Sequence, residues 1–142
     1  MKLRKMNHSV YKTQYHLVRP TKYRRKILVD WVESYLKIKL KEVCKYYPDW
    51  EFIEIGIDRD HIHLHMVIPP KYAVSDVVKT IKVNTSRALN EKFSFLERVY
   101  RWWNSVWSRW HFVSTVWIDE EAIRNYVKMQ WREDKGQAEL EF

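Results

Sequence analysis

The residues best suited to chemistry in this 142-residue chain are three histidines set two apart, in Asp60-His61-Ile62-His63-Leu64-His65. Side chains of a strand alternate, so His61, His63 and His65 share one face while Ile62, Leu64 and Met66 point into a core. Imidazoles held on a rigid strand can converge on one ion, each aiming a separate lone pair. The outer two lie about 13 Å apart at Cα by the rise of a strand, so fewer than three would ligate together. The same pattern also serves as the polar outer face of an edge strand, or as histidines bonded to backbone.

A second constellation is Tyr126-Val127-Lys128-Met129-Gln130. Positions i and i+4 of a helix lie one turn apart on one face, which lets the Tyr126 phenol and the Gln130 carboxamide point at one target. A phenol with a free pKa of about 10 is a poor nucleophile, unless a cation polarises the phosphodiester it attacks or a base takes its proton. A half-buried tyrosine beside an incidental polar neighbour gives the same spacing.

These residues need elements to position them. Val10 to Val18 is rich in β-formers and closes at Pro20, which predicts a first strand. Between about Arg24 and Tyr46, residues Ile27, Leu28, Trp31, Val32, Tyr35, Ile38 and Val43 recur near the helical period, until Pro48 ends the run. Trp50–Ile57 and His61–Ile68 flank the polar turn Asp58-Arg59-Asp60 as a hairpin ended by Pro69-Pro70. A second helix is predicted over Val74–Glu91, with Ser75 as its N-cap. The aromatic stretch Phe93–Trp110 reads as loop, short helix or both, and His111–Trp117 as a strand. Asp119 should cap a last helix over about 119–135, with Glu120 and Glu121 complementing its dipole, ahead of a short acidic tail at 136–142. The order β-α-β-β-α-β-α predicts a single α+β domain, an antiparallel-rich sheet with helices on one face, of the ferredoxin-like or palm kind.

Composition narrows the chemistry. Two glycines, Gly56 and Gly136, cannot build a dinucleotide-binding loop, a P-loop or a Gly-x-Ser-x-Gly elbow. One cysteine, Cys44, allows neither an internal disulfide nor a multi-cysteine zinc site, so a cytoplasmic setting is expected. The basic start lacks an apolar stretch behind it, and nothing approaches a membrane span. The formal net charge of +8 favours a polyanionic partner. It is uneven: residues 1–48 hold 13 Lys/Arg against Asp30, Glu33 and Glu42, a net +10. The 22 aromatic side chains exceed what a small core needs, which leaves some to face a partner or stack on bases.

Asp60-His61-Ile62-His63, followed by Ile68-Pro69-Pro70, resembles the histidine-hydrophobic-histidine signature of HUH endonucleases, specifically the small single-tyrosine transposases of the insertion-sequence-two-hundred-like group. His8-Ser9-Val10-Tyr11, Tyr15-His16-Leu17-Val18 and Thr21-Lys22-Tyr23-Arg24-Arg25-Lys26 resemble the group's opening strand and basic segment. Trp107-Ser108 and Phe112-Val113-Ser114-Thr115-Val116 resemble its last strand, and Arg124-Asn125-Tyr126-Val127-Lys128-Met129-Gln130 its tyrosine helix. These motifs stand in family order across about residues 7 to 131.

The resemblance implies that His61 and His63 are the metal pair, Gln130 the third protein ligand and Tyr126 the nucleophile. It implies attack on single-stranded DNA, a covalent 5′-phosphotyrosine with a free 3′-hydroxyl, and rejoining without hydrolysis. The implied ion is Mg²⁺ or Mn²⁺, with imidazole ligands favouring Mn²⁺; no small-molecule organic cofactor or membrane is implied. The implied partners are single-stranded DNA with terminal hairpins and a second copy of the chain, with the Phe112–Trp117 strand as a pairing edge. Lys22, Arg24, Arg25 and Lys26 are candidates for hairpin phosphates, and Lys79, Lys82 and Arg87 for strand contact. His65 stands where the group usually has an apolar residue, as an outer partner or an alternative ligand. His8, His16 and His111 are assigned to structure or DNA contact. Two other classes fit the residues: a related nicking or replication-initiation nuclease, and a non-catalytic single-stranded nucleic-acid-binding module.

Overall fold

The computed structural model describes residues 3–6, 8–100, 105–115 and 118–140, and within the last helix the side chains of 120–130 and 132. The first strand expected from Val10 is split. Strands β1 (Arg4–Met6) and β2 (Ser9–Tyr11) form a small hairpin, and the sheet proper begins at β3 (Gln14–Pro20). The break falls where Thr13 turns to Ile68: its carbonyl accepts from the Ile68 N–H at 3.1 Å while its hydroxyl donates to the Ile68 carbonyl.

The main sheet is antiparallel, in the order β4 (Glu51–Ile57), β5 (His61–Val67), β3, β6 (Phe112–Ser114). Register pairs His16 with His65, Val18 with His63 and Pro20 with His61, and β6 sets Phe112 opposite Val18. Pro20 is tolerated at the end of a central strand, where one missing N–H interrupts little of the ladder. Helix α1 (Asp30–Tyr46) begins later than expected, because Lys22–Arg24 form a 3-10 turn. Helix α2 (Val74–Lys92) starts after Ala73, which caps it through its backbone carbonyl; Ser75 therefore lies inside the helix and is not its cap. A short α3 (Phe95–Val99) occupies part of the aromatic stretch, whose Trp102 and Trp103 lie outside the described residues, as do Val116 and Trp117 of the expected strand. Helix α4 (Glu120–Leu140) runs through Gly136, where a tail was expected to begin.

Alternation in β5 holds as read. Ile62, Leu64 and Met66 are buried among Leu17, Leu36, Leu40, Val77, Ile81 and Leu89, so α1 and α2 cover that face of the sheet. Burying each such aliphatic side chain contributes about 1.5–3 kcal/mol, which is what fixes the strand's facing. The helices do not all share one side, however. Ile123 and Val127 of α4 pack on Val18, whose side chain points away from Leu17, so α4 crosses the face that carries the histidines. Among the described residues, the buried apolar side chains Ile123 and Val127, with Tyr126 packed beside them, dock the helix on that strand.

Candidate active site

The site begins at the turn between β4 and β5. Thr21 is fully buried, and its N–H and hydroxyl both donate to the Asp60 carbonyl, at 2.9 and 3.1 Å. Its neighbours Tyr23 and Arg24 sit in the left-handed region, at φ 56° and 54°, a conformation that costs a non-glycine residue about 1 kcal/mol or more. That turn aims the Arg24 Nε at Asp60 Oδ2, 2.8 Å away. The other carboxylate oxygen accepts from His61 Nδ1, also at 2.8 Å. Burial alone would raise the Asp60 carboxyl, but the hydrogen bonds from His61 and Arg24 outweigh it and hold it at about 2. With its proton fixed on Nδ1, His61 keeps a lone pair on Nε2, the arrangement in which a carboxylate orients a ligating histidine.

One step along the face, His63 is differently engaged. Its Nε2 lies 3.2 Å from Nδ1 of His16, a residue only 4% exposed. His16 in turn stacks on His65, ring centroids 4.2 Å apart, and His65 Nε2 meets Gln14 Oε1 at 3.0 Å. His65 is thus held by β3, away from His61, and serves the stack. Burial pulls both His16 and His63 below the usual histidine range. His16 is the residue the motif reading undervalued; the signal for it, strand alternation within His16-Leu17-Val18, needed the β3–β5 register to be useful.

Helix α4 supplies the remaining groups. Asp119 caps it as expected, Oδ1 accepting from the Ala122 N–H at 2.7 Å. Ile123, Tyr126, Val127 and Gln130 form one stripe, turned to the sheet. The Tyr126 ring rests 5.3 Å from Phe112 of β6, and Gln130 is 5% exposed. Its Oε1 is buried and accepts no hydrogen bond from any described residue. A buried acceptor left unmade costs about 1–3 kcal/mol, so this oxygen suits a ligand that arrives later.

Among the described residues no three His, Cys, Asp or Glu side chains gather as a metal site. The candidate donors are two imidazoles on β5 and one amide oxygen on α4: His61, His63, whose Nε2 is met by His16, and Gln130. This mixed nitrogen and oxygen set fits a divalent ion of intermediate softness.

The basic candidates separate. Lys22 is 5% exposed, its carbonyl accepts from Tyr100 Oη and its Nζ lies 5.7 Å from the Tyr23 ring centroid. It is part of the packed turn, which corrects its reading as a surface phosphate contact. Arg24 is tied to Asp60, while Arg25 and Lys26 are exposed. Lys79, Lys82 and Arg87 stand on α2, on the far side of the sheet from the histidines, where Lys82 and Arg87 line a groove of about 530 Å³ with Asn90 and Glu91. Arg59, Arg124 and Lys128, which the motif reading did not single out as basic contacts, line a cleft beside His61. Arg19 is buried as well, donating to the Ser108 carbonyl at 3.0 Å, and burial lowers its guanidinium to about 10 against the opposing pull of nearby Tyr126. No helix among the described residues is long and apolar enough to cross a membrane.

Comparison with known proteins follows the same stretch of chain. The family profile described as "Transposase IS200 like" matches residues 9–130. The transposase for insertion sequence element IS200 of Salmonella typhimurium is 32% identical over 128 residues, 90% of this chain and 83% of the relative. The ISDra2 transposase TnpA of Deinococcus radiodurans is 28% identical over 131 residues, 92% of each. A crystal structure from Deinococcus radiodurans R1, of a protein provisionally classed as a transposase, superposes with a TM-score of 0.81 at 30% identity, over 89% of this chain and 97% of that one.

Proposed function

The chain belongs to the IS200-like transposase family, whose members are DNA strand transferases, and from that premise we propose that it cuts and rejoins single-stranded DNA with Tyr126 as nucleophile. The observation that carries this reading is the facing of α4: Tyr126 and Gln130 lie on the stripe that docks on Val18, the β3 partner of His63. Nucleophile and candidate ligands therefore belong to one sheet face of one chain.

In the proposed reaction the Tyr126 oxygen, losing its proton, bonds to the phosphorus of one phosphodiester. The bond from phosphorus to the 3′-oxygen breaks, and that oxygen takes up a proton. One phosphodiester replaces another, so the 5′-phosphotyrosine keeps the energy that a second 3′-hydroxyl needs to reverse the step without hydrolysis. His61, His63 and Gln130 would hold a divalent ion, Mg²⁺ or Mn²⁺, which when bound polarises the phosphate and stabilises the leaving oxygen. Asp60 keeps the His61 proton on Nδ1, and Phe112 steadies the Tyr126 ring.

The substrates in this reading are single-stranded ends carrying a hairpin. The outer edge of β6, unpaired among the described residues, is where a second copy would pair, giving a homodimer. The direct test is peptide mapping after incubation with strand ends and Mn²⁺. Trypsin cuts after Arg124 and Lys128, so the Asn125–Lys128 peptide should carry the mass of the attached nucleotide. The same peptide unmodified, with DNA bound but uncut, would favour a binding module.

A further inference from the structure

We propose that the cleft between the β4–β5 turn, the 3-10 turn and α4 is a phosphodiester site, gripping the backbone of the DNA strand beside the bond that Tyr126 attacks, whatever its sequence. The cleft has a volume of about 230 Å³ and includes His61 and Val127 in its walls, so it opens directly on the proposed site and rests on that reading. Arg24, Lys26 and Arg59 line it from the turns, and Arg124 and Lys128 from the tyrosine helix.

Five cationic side chains, Arg24, Lys26, Arg59, Arg124 and Lys128, stand against two carboxylates, Asp58 and Asp60, which leaves the cleft net positive. Asp60 is already engaged by His61 and Arg24, and Asp58 Oδ1 accepts from the Arg59 backbone N–H at 2.7 Å. Lys26, Arg59 and Lys128 form no ion pair with described residues, and Arg124 reaches only the exposed Glu120 one turn away, at 3.0 Å. Like charges converging on one hollow repel unless an anion joins them. No Phe, Tyr or Trp lines the cleft, and its one ring, His61, is held through Nδ1 by Asp60, so cationic groups dominate its walls and backbone phosphates are the groups it fits. Arg124 and Lys128 enter the cleft from α4 beside Val127, the residue next to Tyr126, so the cleft flanks the helix stripe that carries the proposed nucleophile.

The test compares wild type with the double variant Arg59→Gln, Lys128→Gln by fluorescence anisotropy over a salt series, on two probes. One is an unstructured mixed-sequence single strand, the other a blunt DNA hairpin. Each single-strand phosphate contact contributes about 0.7 to the slope of log affinity against log salt, so the double variant should lose roughly 1.4 in slope on the unstructured strand. Hairpin binding should be equal for the two proteins. An unchanged slope, or an equal loss on both probes, would overturn the proposal. Wild-type adduct formation is scored separately, so failure of the transesterase reading is distinguishable from failure of the cleft.

Discussion

His16 Nδ1 lies 3.2 Å from His63 Nε2, one imidazole occupying the nitrogen that His63 would offer to an ion, across β3 and β5. Both rings are held below the usual histidine range, above all by burial, and a hydrogen bond between these two atoms needs a proton on one and a lone pair on the other. An ion taken by His63 through Nε2 has to displace His16. His16→Phe retains a ring to stack on His65 and removes the competing bond. For a bond worth about 1 kcal/mol net, Mn²⁺ affinity measured by titration calorimetry should rise roughly fivefold. Weaker binding would mean that His16 supports the ion.

Asp60 sets the tautomer of His61 and anchors the strained Tyr23–Arg24 turn at once. Asp60→Asn removes the negative charge behind the imidazole with little change of shape. Loss of such an orienting carboxylate weakens metal binding about 10- to 100-fold. Mn²⁺ titration followed by electron paramagnetic resonance should register that drop, and wild-type affinity in the variant would remove Asp60 from the account.

Gln130 presents a buried oxygen that no described residue satisfies. Gln130→Met fills the same space without a polar atom. In the absence of metal it should stabilise the fold by about 1 kcal/mol, roughly 3 °C in melting temperature, while weakening Mn²⁺ binding. A variant less stable than wild type without metal would assign Gln130 to structure.

His111 gives a pH dependence whose sign is fixed. Partial desolvation of its ring, in a residue that is otherwise exposed, then the charges of Arg19 and Lys82, hold its imidazole down to about 4, against 6.5 for the free side chain. Between those values the unfolded chain binds a proton that the folded chain refuses, so stability falls as pH drops from 6.5 toward 4. His111→Gln should flatten this part of the melting-temperature profile. A profile parallel to wild type would contradict it.

The sequence made the facing of β5 legible because a period of two is unambiguous once Ile62, Leu64 and Met66 are apolar and His61, His63 and His65 are not. The shared face of Tyr126 and Gln130 was legible from their spacing, one helical turn apart on a helix whose cap, Asp119, could be read directly. What escaped depends on contacts distant in sequence. The His16–His63 pair spans 47 residues and follows from register, not from local pattern. Lys22 reads as one more surface lysine in a basic run, yet the turn that brings Arg24 to Asp60 folds it under Tyr100. The crossing of α4 over the histidine face rests, among the described residues, on Ile123 and Val127 with Tyr126 beside them, and no periodicity says which face of a sheet a terminal helix will choose.

The central claim is that Tyr126 becomes covalently joined to DNA. Single-stranded oligonucleotides spanning both ends of the encoding element, incubated with the protein and resolved on a denaturing gel, test it most directly. Wild type with Mg²⁺ or Mn²⁺ should give a protein–DNA band that chelator abolishes, and Tyr126→Phe should give none while binding DNA as tightly as before. A band that persists in Tyr126→Phe, or tight binding by wild type with no band under either ion, would contradict the account.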